Sequence, residues 1–138
     1  MLHINHVSKL FNPNTSDEKL ALSNIQLRLE DGDFVTVIGS NGAGKSTLMN
    51  VIAGVIQPDI GTVSIDGKDV TMMPEHKRSA WIGRVFQDPM AGSAPSMTIE
   101  ENLAIAYSRG KRRGLELGIN RKRRIWFKEQ LSSLGLNL

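Results

Sequence analysis

Two hydrophobic rhythms divide this chain. Short alternating or wholly apolar runs fill it up to about residue 88, and helical spacing takes over beyond. Residues 2–7 read as a short strand, followed by a polar, turn-rich stretch, Asn12-Pro13-Asn14-Thr15-Ser16-Asp17-Glu18-Lys19. Ile25, Leu27 and Leu29 alternate with Gln26 and Arg28, the period-two pattern of a half-buried strand. Asp31-Gly32 marks a turn. Phe34-Val35-Thr36-Val37-Ile38 is apolar nearly throughout, which suits a strand covered on both faces in a parallel sheet. A helix is predicted from Lys45 to Ala53, with Leu48, Val51 and Ile52 on its apolar face and Gly54 just past its end. Pro58 and Gly61 frame a loop, and Thr62 to Ile65 with the Asp66-Gly67 turn predicts a hairpin. Pro74 to Ala80 predicts a short helix with proline in its first turn. Trp81 to Phe86 predicts a further strand, ending at Gln87-Asp88-Pro89.

The second part is helical. Met90 to Met97, rich in Ala, Gly, Ser and Pro, reads as a loop. Thr98 and Glu101 have the spacing of a capping box, so a helix is expected from there to about Tyr107. Asn120 is placed to cap a last helix, with Phe127, Leu131 and Leu134 on one face and Gly135 ending it. Trp126 is expected to pack inward beside Phe127.

Between the apolar run at 34–38 and the helix at 45 lies Gly39-Ser40-Asn41-Gly42-Ala43-Gly44-Lys45-Ser46, followed by Thr47. It matches G-x-x-x-x-G-K-[ST] at every fixed position. The glycines let successive backbone N–H groups point at phosphate oxygens, and the helix directs its positive end to the same place. Lys45 supplies a full charge for the outer phosphates, and Ser46 offers a hydroxyl to Mg²⁺, an ion that keeps several waters and takes few protein ligands. The bland alternative is a glycine-rich turn before a lysine-headed helix. The motif by itself does not choose among ATPases, GTPases and small-molecule kinases.

Composition narrows the setting. The chain has 138 residues, enough for one modest domain, with 40% apolar and 22% charged residues. It has no cysteine, which excludes disulfides and thiolate metal sites. No apolar run approaches the ~18 residues of a membrane span, and Met1 to His6 lacks the basic start and apolar stretch of a signal peptide. The chain is therefore expected to be neither exported nor embedded. Its net charge of +3 is unevenly placed. Arg109, Lys111, Arg112, Arg113, Arg121, Lys122, Arg123 and Arg124 face one acid, Glu116, between Arg109 and Arg124, whereas the rest of the chain is net acidic. This segment reads as a solvated helical face, as a contact with a membrane surface or a transporter, or as a nucleic-acid contact. Sparse aromatic interleaving puts the last of these third, and no specific nucleic-acid partner is expected.

Gln87 ends a strand-like run well after the phosphate loop, where an open parallel sheet holds its ligands. With it, the chain resembles the ATP-binding subunits of ABC transporters. The resemblance rests on Gly39 to Thr47, on Gln87 in "VFQDP", on "GTVSIDGKDVT" at 61–71 and on "MTIEENL" at 97–103, and it spans essentially the whole chain. It implies an α/β fold: a P-loop NTPase core with an N-terminal antiparallel β subdomain and the start of an α-helical subdomain, truncated. The implied divisions are 1–88 for the β subdomain with a partial core, 89–97 for the Q-loop linker, and 98–138 for a partial helical subdomain. It implies ATP and Mg²⁺ as ligands, with Gly39, Ser40, Asn41, Gly42, Ala43, Gly44, Lys45, Ser46 and Thr47 binding nucleotide. Phe11 in "SKLF" would stack on adenine, against the plain reading of a small core contact. Gln87 would touch Mg²⁺ and the attacking water and link the site to membrane subunits, against the reading of a strand-end amide. Lys45 and Gln87 are the implied catalytic residues, Ser46 and Gln87 the implied metal contacts.

The resemblance also says what these residues omit. No LSGGQ occurs; Leu131-Ser132-Ser133-Leu134-Gly135 lacks the adjacent glycines. No aspartate follows four apolar residues to carry a Walker B carboxylate, and His3, His6 and His76 lie in the wrong places for the switch histidine. The expected partners are transmembrane permease subunits, met through the Q-loop region, and a second ATP-binding subunit. The expected location is the cytoplasmic face of a membrane, held peripherally. The wording around the motifs is similar to that of importer ATPases for amino-acid-like solutes. A non-transport ABC-type module, acting in translation or repair, is the alternative.

Overall fold

The computed structural model of the chain describes residues 1–111 and 118–135. These form two compact units, Met1–Ile82 and Gly83–Leu138. In the first, β1 (Leu2–Phe11), β2 (Lys19–Leu29), β3 (Ile60–Ile65) and β4 (Lys68–Asp69) make an antiparallel sheet in the order β2-β1-β3-β4. Two helices, α1 (Lys45–Ala53) and α2 (Glu75–Arg78), accompany it.

Strands β1 and β2 run further than alternation predicts, because bulges change its phase. Ile4 and Val7 are both fully buried although three residues apart, an impossible pair in a regular strand. The β1–β2 register slips between them, and His6 takes φ 51°. On β2, Asn24 takes φ 50° at the next slip, between the Val7–Ile25 and Lys9–Leu22 pairs, and His6 Nδ1 lies 2.6 Å from Asn24 Oδ1. An extra residue in each strand thus turns both apolar sets to the same face. That face carries the core: Ile4, Val7, Leu22 and Val63 of the sheet meet Leu48 and Val51 of α1, with Val70 beside them. Each such side chain contributes roughly 1.5–3 kcal/mol when fully buried. Gly61 of β3 crosses the bulge at φ 88°, where a Cβ would strike the carbonyl oxygens of Asn5 and His6.

Two predicted strands do not form. Phe34–Ile38 has no backbone partner among the described residues; Phe34 is 93% exposed and Ile38 89%. Trp81–Phe86 is likewise unpaired among them. The amides of Trp81 and Ile82 both donate to Arg78 O, at 2.9 and 3.2 Å, so the chain keeps turning after α2. Val85 beyond them is 97% exposed. An apolar run records a wish to be covered, but a strand also needs a neighbour's N–H and C=O groups. A parallel neighbour comes only through a long crossover, and no described segment supplies one for either run. Helix α2 is shorter than the predicted Pro74–Ala80, and Pro74 stands at its N-cap.

In the second unit a 3-10 turn at Pro89–Gly92 occupies the start of the expected loop. Helix α3 (Ile99–Tyr107) opens with the predicted capping box: Thr98 Oγ1 accepts the Glu101 N–H at 3.2 Å, and Glu101 Oε2 accepts the Thr98 N–H at 2.8 Å. Helix α4 (Arg121–Ser133) opens with Asn120, whose Oδ1 accepts the Arg123 N–H at 2.9 Å. Ala104 of α3 and Phe127 of α4 are buried, and the helices meet through Tyr107, Trp126 and Phe127, packed edge to face at 5.3–6.1 Å. Leu134 is 74% exposed and lies past the end of α4, so it does not join the face of Phe127 and Leu131. Trp126 stays 43% exposed rather than packing inward. Of the basic segment, Arg124 pairs with Glu100 at 2.6 Å and Lys111 sits 3.2 Å over the Tyr107 ring. Arg112, Arg113 and Glu116 lie outside the described residues.

Gly61→Val should destabilise the first unit by roughly 2 kcal/mol or more, since it combines positive φ with a backbone collision. Urea unfolding of wild type and variant measures the difference, and an unchanged midpoint would contradict the bulge packing.

Candidate nucleotide site

The phosphate-loop motif occupies the turn that feeds α1. Gly44 is the N-cap residue at φ 87°, and no side chain caps the helix. No acid lies in its first turn either. The leading N–H groups and the positive helix end are therefore left without a protein acceptor from any side chain, the arrangement that suits an anion. The loop is pressed onto β2. A Cβ on Gly44 would strike the Ala21 carbonyl oxygen and come within 3.2 Å of Leu22 Cδ2. Lys45 Nζ donates to Gly39 O and Ser40 O, both at 2.7 Å, which folds the ammonium over the loop. The Ala43 N–H closes the turn onto Ser40 O at 3.2 Å. Gly39, Ser40, Asn41, Gly42, Ala43 and Ser46 are exposed, while Gly44, Lys45 and Thr47 are half-buried. Leu48, in the first turn, anchors this end of α1 in the core.

Phe11 ends β1 and pairs in register with Lys19, the first residue of β2. Lys19 Nζ lies 3.4 Å from where a Cβ on Gly42 would stand. Strand pairing thus brings the Phe11 position and the phosphate loop together through β2. Lys9 Nζ stands 5.7 Å from the Phe11 ring centroid. Asp59 secures this corner by accepting from Lys9 Nζ and from the Leu10 N–H, each at 2.7 Å. Those contacts, the Leu10 amide first and the Lys9 ammonium second, hold the Asp59 carboxyl below the usual carboxylate range.

The far end of α1 is held by Arg78, the one charged side chain buried among the described residues. Its Nη1 donates to Val51 O at 2.7 Å and Ile52 O at 2.9 Å, its Nε to Met73 O at 2.8 Å, and its Nη2 to Thr71 O at 2.8 Å. The cation thereby meets the negative end of α1, where carbonyls lack helical partners. Burial pushes the guanidinium below its usual value, and the nearby Asp69 charge opposes that. Arg78, Asp59 and Lys19 sit in no motif, so nothing along the chain marks them.

Gln87 belongs to the second unit, where it is exposed just before Asp88. The Asp88 carboxylate accepts the Met90 N–H at 2.9 Å and starts the 3-10 turn. The first unit thus assembles the loop, Lys45, Ser46 and Phe11, and Gln87 is carried separately. His6 is bonded to Asn24, and His76 lies in α2. No group of three or more His, Cys, Asp or Glu forms a metal cluster among the described residues.

The ABC transporter family model matches residues 22–138, and the chain belongs to that family. It is 44% identical over 111 residues to a tyrosine transport ATP-binding protein of Clostridioides difficile, covering 80% of this chain and 44% of that protein. It is 45% identical over 105 residues to the aliphatic sulfonates import ATP-binding protein SsuB of Bacillus cereus, covering 76% of this chain and 39% of that one. The structure superposes with TM-score 0.77 and 30% identity on the ATP-binding cassette MJ0796, a post-hydrolysis dimer bound to ADP and Pi, covering 99% of this chain and 58% of the other. The chain spans less than half the length of these two curated relatives.

Two predictions concern the groups that brace the loop. Arg78→Met removes the donor to four carbonyl oxygens, two at the end of α1 and two at Thr71 and Met73, and should lower stability by roughly 3 kcal/mol or more, read by urea unfolding. Asp59→Asn tests a depressed carboxylate pKa. Such a group stabilises above its unfolded pKa, and that contribution fades as pH falls through the folded value. The stability gap between wild type and Asp59→Asn should therefore be constant near neutrality and close in acid below the ordinary aspartate range, followed by thermal melts across pH.

Proposed function

We propose that this chain is the nucleotide-binding portion of an ABC importer ATPase, in which ATP binding and hydrolysis drive solute movement across a membrane. The observation that carries the proposal is the uncapped N-terminus of α1, with Lys45 folded over a glycine loop pressed onto β2. The positive helix end and the Lys45 ammonium belong to one loop, and a polyphosphate supplies the matching charge. Phe11 would present its ring to adenine at the end of β1. Ser46, exposed in the first turn of α1, fits a cation that takes few protein ligands and draws most of the others from water and phosphate. Mg²⁺ would neutralise charge on the outer phosphates when bound, and Gln87 would be its second contact on this chain and orient the attacking water.

The names of the relatives cited support transport rather than a role in translation or repair, and the tyrosine relative supports an amino-acid-like solute. Permease subunits, met near the Q-loop stretch 89–97, and a second ATP-binding subunit are the proposed partners, at the cytoplasmic membrane face. The proposed divisions remain 1–88, 89–97 and 98–138. No helix among the described residues is long and apolar enough to cross a membrane.

These residues hold no LSGGQ and no paired Asp-Glu strand end. A missing water-orienting base removes a contribution of ~10²–10⁴-fold. The chain alone should therefore bind ATP weakly and not turn it over. Steady-state phosphate release is the measurement. A rate matching a full-length family member, abolished by Lys45→Ala, would overturn the claim of inactivity. Co-purification with a membrane subunit is expected, and association with ribosomes or DNA instead would favour the alternative.

A further inference from the structure

We infer that Lys19 is a further phosphate-binding residue, reaching the polyphosphate of a bound nucleoside triphosphate from the β2 side of the loop, beside Gly42. This rests on the reading of residues 39–47 as a phosphate cradle. Two anchors set the position of Lys19. Leu22, three residues on, is 4% exposed in the core, and its Cδ2 lies 3.2 Å from where a Cβ on Gly44 would stand. Phe11 is its register partner on β1. Between those anchors the start of β2 runs along the loop, with the Lys19 ammonium 3.4 Å from the Cβ position of Gly42.

The charges around it single this lysine out. Lys9 is neutralised by Asp59 at 2.7 Å. Lys45 is held by two loop carbonyls. The Glu18 carboxylate, next to Lys19 in sequence, accepts the Asn14 N–H at 2.8 Å inside the β1–β2 turn. Among the described residues Lys19 has no carboxylate or carbonyl acceptor. Its ammonium nevertheless sits against the loop that carries a second ammonium and leads into the positive end of α1. Concentrated like charge is unfavourable without an anion and raises the local potential for one. A triphosphate carries more charge than Lys45 alone offsets. A flexible lysine supplies a point charge without demanding the fixed geometry of an arginine fork. The base is not its target, since an ammonium gains little from adenine compared with a phosphate oxygen.

The test is a titration of the chain with ATP, ADP and adenosine, followed by amide NMR shifts of the loop glycines, which suit weak binding. Wild type, Lys19→Gln, Lys19→Arg and Lys45→Ala are compared. Lys19→Gln should weaken ATP about five- to tenfold, below the full value of a charged hydrogen bond because the site is exposed. It should weaken ADP less and leave adenosine unchanged, and Lys19→Arg should retain most of the ATP affinity. In wild type, ATP should shield Lys19 from acetylation, read by mass spectrometry, and adenosine should not. Wild-type ATP affinity in Lys19→Gln, with binding lost in Lys45→Ala, would overturn the role of Lys19 and leave the cradle standing. An equal loss for ATP and adenosine would overturn it too, by pointing to the base or to the fold. Failure of wild type to bind ATP at all would remove both readings.

Discussion

Helix α1 starts without a cap, and the surrounding structure makes up for it. A helix of nine residues with no N-terminal side-chain acceptor is marginal by itself. It persists because its other contacts are strong. Leu48 and Val51 are sunk in the sheet's core, and Arg78 gathers the carbonyls at its far end. The glycine at its start has no Cβ, so the loop can lie against the Ala21 carbonyl. The positive end is thus left exposed by a helix secured everywhere else, and the exposed end is the part that chemistry can use.

The sheet answers a related demand. β1 is central to the β2-β1-β3-β4 order and carries two of the most deeply buried side chains, Ile4 and Val7. The bulge at His6 brings both to the α1 side, the one at Asn24 does the same for Leu22 and Ile25 of β2, and Gly61 lets β3 cross the β1 bulge closely. The same path carries Phe11 and Lys19 out to the end of the sheet beside the phosphate loop. A packing device in the core therefore also places the candidate ligand contacts.

Much of this was legible in the sequence. The loop motif, the span of α1, the Thr98 capping box and the Asn120 cap depend on interactions within a few residues, and all four are present as read. The extents of β1 and β2 were not legible, since a bulge shifts the phase of alternation. Phe34–Ile38 and Trp81–Phe86 have the composition of buried strands and remain unpaired among the described residues, because pairing is a property of two segments and composition of one. Spacing puts Leu134 on the face of Phe127, and adjacency to Phe127 points Trp126 inward, but Leu134 falls beyond the helix end and Trp126 is partly exposed.

The sequence by itself determined the chemistry on offer: a glycine-lined turn, a lysine and a serine at the head of a helix, and an aromatic residue at the end of a strand. Only the tertiary structure decided that Arg78 is buried against four carbonyls, that Asp59 restrains Lys9, and that Lys19 stands beside Gly42 with no counter-charge among the described residues. Local motifs are set by covalent spacing, so they can be read along the chain. The charge balance around a site depends on residues dozens of positions apart, and it exists only once packing has brought them together.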